Sequence, residues 1–329
     1  MQDIHPVDLY RIHSDDRAIY TNANDVIKHV ESKLKEYVTE GGAQHIAISN
    51  VTNRSFQEFN KKREQIRPHS PRVRFFKEQK AMIIKFRDST HATVEGMLHK
   101  AFLTRLTELG IEEEMLMSVG AATQSLPEME IQPDLSYLPY QTRTLNECPS
   151  FVIGVGDMDC LHRLQLDMRL WLEDSCGKTR VALLMAICTE SKEFLFELWQ
   201  SENNTVECVQ HIRVNDKANE ATDAPLTLPL GLLFDRLPVL PDLTPESSIS
   251  LSAQDLGKFE KDIFGNMVVN RQKWNVTRGY YPEKFKHLLD DMIEYLYSRH
   301  SCGPIGANPV IEFSAQIEDM RVVKRGTQG

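Results

Sequence analysis

The chain has 329 residues, enough for two average domains or one large domain with additions, and 41% of them are hydrophobic and 26% charged, the balance of a globular protein with a sizeable core. A formal net charge of −9 argues against a protein that coats nucleic acid through overall charge, so any phosphate contact needs a local basic face. No run approaches the ~18 apolar residues that span a bilayer, Met1-Gln2-Asp3-Ile4-His5 lacks the features of a signal peptide, and Cys148, Cys160, Cys176, Cys188, Cys208 and Cys302 form no C-x-x-C pair; the expectation is an intracellular protein, cytoplasmic or nuclear, with free thiols and no membrane partner.

In chain order, Asn24 is placed to cap a first helix whose apolar face is Ile27, Val30, Leu34, Tyr37 and Val38, with Gly41-Gly42 ending it. A short strand is expected around residues 45–51. Residues 61–80 hold eight Lys or Arg against Glu64 and Glu78, with Phe75 and Phe76 among them. Arg72, Arg74 and Lys77 beside those rings are candidate nucleic-acid contacts, because cations can follow a phosphate backbone while an aromatic ring stacks a base. A solvated charged loop is the other reading.

Residues 81–86 read as a buried strand, after which Val94, Leu98, Phe102, Leu106 and Leu109 recur at helical spacing until Gly110. His91, Glu95 and His99 fall every four residues on that helix and so share a face, which suits either a metal site with an accessory carboxylate or a polar surface. Strands are expected at residues 116–119, 131–137 and 151–155, followed by a helix that packs Leu161, Leu164, Met168, Trp171 and Leu172 on one side. Residues 181–188 and 194–199 read as two more strands, joined by a turn at Glu190-Ser191-Lys192. Residues 215–224 are polar and aperiodic, and Pro225, Pro229, Pro238, Pro241 and Pro245 mark an irregular connector. Ser252 and Asp255 form a capping box for a helix with Leu256, Phe259 and Ile263, and Pro282 opens a longer helix that buries Phe285, Leu288, Leu289, Met292, Ile293 and Leu296. The division that follows is a helical, basic segment at 1–79, a core at 80–214, and a connector with a helical extension at 215–329.

Two phosphate-loop patterns fail. Gly154-Val155-Gly156 has Asp159 where a dinucleotide loop needs its third glycine, and Gly177-Lys178-Thr179 has Leu172 where a phosphate loop needs its first.

Pro133-Asp134, then Val152-Ile153-Gly154-Val155-Gly156, Met158-Asp159-Cys160, and a helix with Leu164, Asp167, Leu170, Trp171 and Leu172 occur in one order, with His91 ahead of them and Leu251-Ser252-Ala253-Gln254-Asp255-Leu256 behind. Over residues 80–265 this order resembles the restriction-endonuclease-like PD-(D/E)XK superfamily, and within it a group of uncharacterised fungal proteins related to bacterial Uma-type endonucleases. The resemblance implies an α/β fold with a mixed sheet flanked by helices, and a Mg²⁺ site that begins at Asp134. Mg²⁺ held by carboxylates neutralises a phosphodiester and activates the attacking water. Family members carry a Glu at the position of Gly154, so Asp157, Asp159 or Glu95 would have to supply the second metal ligand. The catalytic lysine of the Uma-type relatives maps near Arg169, beside Asp167, and an arginine can neutralise phosphate but is a poor base.

The expected function is therefore that of a degenerate nuclease, a pseudoenzyme that serves as a nucleic-acid or protein interaction module. The alternatives are an active Mg²⁺-dependent endonuclease using Asp134 with a substitute carboxylate, and an assembly protein that retains only the scaffold and docks a partner on the helix containing Phe285 and Leu296.

Overall fold

The computed structural model describes residues 5–63, 70–202, 205–215, 225–238, 240, 243–244 and 246–276, with side chains of the last segment described as far as Phe264. The chain divides into Met1–Val276 and Thr277–Gly329, and every described residue belongs to the first unit. The helix expected after Pro282 and Cys302 lie outside the described residues. Among those residues no helix is long and apolar enough to cross a membrane.

The amino-terminal half contains α1 (Pro6–Leu9), β1 (Arg17–Ile19), α2 (Ala23–Glu40), β2 (His45–Ser49), α3 (Asn53–Arg63), β3 (Arg72–Phe76), β4 (Ala81–Lys85), α4 (Ser89–Glu108), β5 (Met117–Ser118), β6 (Gln124–Ser125) and β7 (Met129–Ile131). It is followed by β8 (Leu135–Leu138), β9 (Phe151–Asp157), α5 (Leu161–Asp174), β10 (Val181–Cys188), β11 (Glu193–Glu202), β12 (Thr205–Asn215), β13 (Leu226–Pro229), α6 (Leu230–Leu233), β14 (Ser248–Leu251) and α7 (Ala253–Val276). The result is a mixed α/β fold with two six-stranded mixed sheets flanked by helices, plus the β13–β14 pair.

The amino-terminal sheet runs β1-β2-β4-β3-β7-β6, and the core sheet runs β12-β11-β10-β9-β8-β5. In the core sheet β5, β8 and β9 are antiparallel neighbours, β9 is parallel to β10, and α5 makes the crossover between those two. Preceded by α4, this is the helix and strand order that the nuclease resemblance predicts.

Side-chain alternation makes both sheets two-faced. In the amino-terminal sheet Ile46, Ile48, Val73, Phe75, Met82 and Ile84 pack under α2 and α3, while Ala47, Phe76, Ile83, Met129 and Ile131 face the other way, onto α5. The core sheet turns Val152, Ala182, Leu184 and Ala186 toward α5, and Phe151, Ile153, Val155, Leu183 and Met185 toward α4 and α7. Helix α5 is therefore sandwiched between the two sheets, with Leu164, Asp167, Met168, Leu170, Trp171 and Leu172 all buried.

Several boundaries differ from the sequence expectation. Helix α2 is capped two residues early, by Asn22, whose side chain accepts from the N–H groups of Asn24 and Asp25 at 3.0 and 3.1 Å. Residues 131–137 are two strands in different sheets, because Pro133 has no N–H to continue a ladder and the chain crosses between sheets there. The connector expected to be irregular contains β13 followed by the short helix α6 at Leu230–Leu233, and β12, with most of its residues partly or fully exposed, carries no apolar alternation to reveal it. The amino-terminal segment is not only helical: β3 and β4 pair across residues 79 and 80, so one sheet draws on both sides of the expected boundary. The capping box is present, with Ser252 N–H donating to Asp255 at 2.8 Å and Asp255 N–H to the Ser252 hydroxyl at 3.2 Å.

Candidate active site

Asp134 joins the core sheet just ahead of β8, its N–H donating to Ile153 O at 3.1 Å. Leu135 pairs with Ile153, so one step back along the register sets Asp134 opposite Gly154. The expected positions of the two metal-binding carboxylates are therefore cross-strand neighbours on the face turned toward α5. Only one carries a side chain. A Cβ built on Gly154 would lie 2.6 Å from Met168 Cε, so the space in front of the glycine belongs to a methionine of α5.

The Asp134 carboxylate is 3% exposed and already surrounded by positive charge. Its Oδ2 accepts the Val155 N–H at 2.8 Å and a short hydrogen bond from the Lys85 ammonium, while Oδ1 lies 3.4 Å from Arg72 Nε and 3.8 Å from Arg87 Nε. Burial alone would raise the pKa of this carboxyl, but Lys85, Arg72 and Arg87 together hold it well below the usual carboxylate range. Glu95 forms a two-pronged pair with Arg87, one bond at 2.9 Å, and lies 3.7 Å from Arg72. Asp167 accepts the Tyr10 hydroxyl at 2.6 Å and pairs closely with Arg74. Burial pushes the Asp167 carboxyl up, against the pull of Arg74 and Lys85.

The cations reach this place because of sheet register. His45, Lys85 and Arg72 stand in one cross-strand row of β2, β4 and β3, and Arg74 stands two residues further along β3. Like charges such as Lys85 and Arg72 on neighbouring strands destabilise a sheet, and here Asp134 of the core sheet and Asp167 of α5 supply the counter-charge. Arg72 and Arg74, 4% and 3% exposed, are thus internal counter-ions. These two arginines lie on a buried strand and not in a solvated loop. Lys77 is nearer the surface and pairs with Glu130 at 3.1 Å, and Phe75 and Phe76 are buried.

The other expected site residues diverge. Arg169 points to solvent and pairs with Glu173 at 3.3 Å, two residues along α5 from the buried Asp167 and therefore on another side of the helix. Asp159 is exposed. Asp157 accepts the Tyr37 hydroxyl at 2.9 Å and lies 3.4 Å from His91 Nε2; burial raises its pKa, while His91 and Tyr37 oppose the rise. His91 Nδ1 bonds Asp88 at 2.7 Å, which leaves Nε2 to accept the Gln44 amide N–H at 2.9 Å. His99 Nδ1 meets the Tyr137 hydroxyl at 3.0 Å. The His91, Glu95 and His99 face is therefore neither a metal site nor a solvated surface: its members bind three separate sets of protein groups.

A divalent metal does not fit these residues. Among the described residues there is no group of three or more His, Cys, Asp or Glu side chains able to hold one. A divalent ion about 4 Å from one ammonium would be repelled by roughly 8 kcal/mol at an effective dielectric constant near 20, and Asp134 already has three cations beside it. The expected Mg²⁺ site of Asp134, Asp157, Asp159 and Glu95 is not assembled among the described residues: Asp134 keeps Oδ1 without a hydrogen bond but lies among three cations, and the others do not join it in a group of three.

Sequence reasoning passed over Lys85, Arg87, Tyr10 and His45. Lys85 carried a signal: a lysine inside an apolar run read as a buried strand must find an anion. His45 resists protonation more than an exposed histidine, since burial, then Arg74, Lys85 and Arg163, push its pKa well below the usual value. Below about pH 6.5 the unfolded chain takes up a proton that the folded chain refuses, so stability falls with acid by up to ~1.4 kcal/mol per pH unit for this one group. His45→Phe is expected to flatten that slope in urea titrations between about pH 6.5 and 5; an unchanged slope would show that His45 is not buried in its neutral form.

No protein-family model and no curated protein matches the chain. Among solved structures it is similar to a protein from Anabaena variabilis described as a candidate nuclease belonging to DUF820, at 13% identity and a TM-score of 0.37, over 62% of this chain and 97% of that one.

Proposed function

We propose that this protein is a degenerate nuclease-fold protein in which the catalytic face has become an internal joint between two sheets, and that it works as a protein-interaction module without phosphodiesterase activity. One observation carries the reading. The Lys85 ammonium, flanked by Arg72 and Arg87, sits on the Asp134 carboxylate where the family pattern puts a metal. The groups that would meet a scissile phosphate are 0–7% exposed, beneath the amino-terminal sheet. A protein partner is favoured over nucleic acid because Arg72 and Arg74 of the most basic stretch are spent internally and the net charge is −9.

The test is cleavage of single- and double-stranded DNA and RNA with Mg²⁺ or Mn²⁺ by the parent, by Asp134→Ala and by Gly154→Glu combined with Met168→Ala. No cleavage is expected from any of them, because the added carboxylate would join an Asp134 that is already surrounded by three cations. Cleavage by the parent that disappears in Asp134→Ala would overturn the proposal and restore the active endonuclease. Salt-dependent oligonucleotide binding by the parent without cleavage would move the partner from protein to nucleic acid.

A further inference from the structure

The cationic row has one end that Asp134 and Asp167 leave unmatched. His45 is 1% exposed, and neither Nδ1 nor Nε2 has a hydrogen-bond partner among the described residues. Arg74 is 3% exposed; its Nη2 pairs with Asp167, but Nε and Nη1 have no partner among the described residues. The two side chains flank one ring: the His45 and Tyr10 centroids are 6.5 Å apart, and Arg74 Cζ lies 5.9 Å from the Tyr10 centroid.

The unmatched atoms are mostly donors. Arg74 offers one N–H on Nε and two on Nη1, and a neutral imidazole adds one more N–H. Lys85 stands next to His45 in the row, and Arg163 reaches over from α5, where it donates to Tyr10 O at 2.7 Å and to Arg11 O at 2.9 Å. Buried donors without acceptors each cost about 1–3 kcal/mol, and more when charged. A water offers as many donors as acceptors, whereas an anion offers acceptors only and also meets the local excess of positive charge.

We propose that His45 and Arg74, under the Tyr10 ring, form a binding site for a small monovalent anion of halide size. The near-complete burial of its walls excludes an oxyanion carried on a larger molecule. The anion completes the charge pairing that the two carboxylates begin, and it holds the amino-terminal strap at residues 5–13 against α5.

The experiment compares thermal unfolding of the full chain in sodium chloride, sodium bromide and sodium gluconate at one ionic strength, and locates bromide by anomalous scattering from crystals grown in it. A halide-specific rise of about 5 °C or more is expected at a hundredfold excess over Kd, with a bromide peak between His45 and Arg74 and loss of the rise in His45→Phe. An equal rise in gluconate, a full halide effect in His45→Phe, or crystals with water and no bromide at that place would each overturn the proposal. Should His45→Phe fail to fold, the bromide map of the parent decides alone.

Discussion

Replacing Lys85 by methionine is expected to lower the unfolding free energy by about 3–5 kcal/mol, the cost of leaving a buried carboxylate without its main counter-ion. Lys85 is 0% exposed and Asp134 3%, so water cannot take over the lost contact. Arg72 and Arg87 remain 3.4 and 3.8 Å from Asp134, and they keep the loss below that of a wholly isolated charge. Adding Asp134→Leu to Lys85→Met removes the orphaned charge together with its partner, so the double variant should be destabilised by less than the sum of the two single variants. Urea denaturation of the four proteins measures that coupling. If each single change costs under about 1 kcal/mol and the effects add, the pair is not the joint described here.

Trp171→Ala should cost a similar amount, about 3–5 kcal/mol, through lost apolar burial and the cavity left behind. The indole is 1% exposed, on α5 between the two sheets, and shares its cluster with Leu170, Leu172, Ala182 and Leu184. The whole indole is buried, so the loss should belong to the high end of that range. Trp171→Phe, which keeps most of the volume, should recover more than half of it. A Trp171→Ala protein as stable as the parent would mean that α5 is not held between two layers.

The elements with strong period are legible in the sequence alone. Val94, Leu98, Phe102 and Leu106 mark α4, the alternating faces of β9 and β10 follow from their apolar runs, and the Ser252 and Asp255 box marks the start of α7. The strand order around Pro133-Asp134 and Gly154 was readable as a nuclease-like pattern. Strand β3 was missed because Arg72-Val73-Arg74 looks solvent-facing when its only context is sequence, and β12 because an exposed edge strand needs no apolar alternation.

The sequence by itself determined that an aspartate follows Pro133 and that position 154 is a glycine with no second carboxylate to offer; β-pairing then sets the two side by side. What it could not determine was what lies above that pair. Only the tertiary structure decided that a second sheet covers the site and brings Lys85, Arg72 and Arg74 to Asp134 and Asp167. The reason is physical: a charged side chain looks the same in sequence whether water or an opposite charge 49 residues away solvates it, and a long-range contact between layers leaves no period to read.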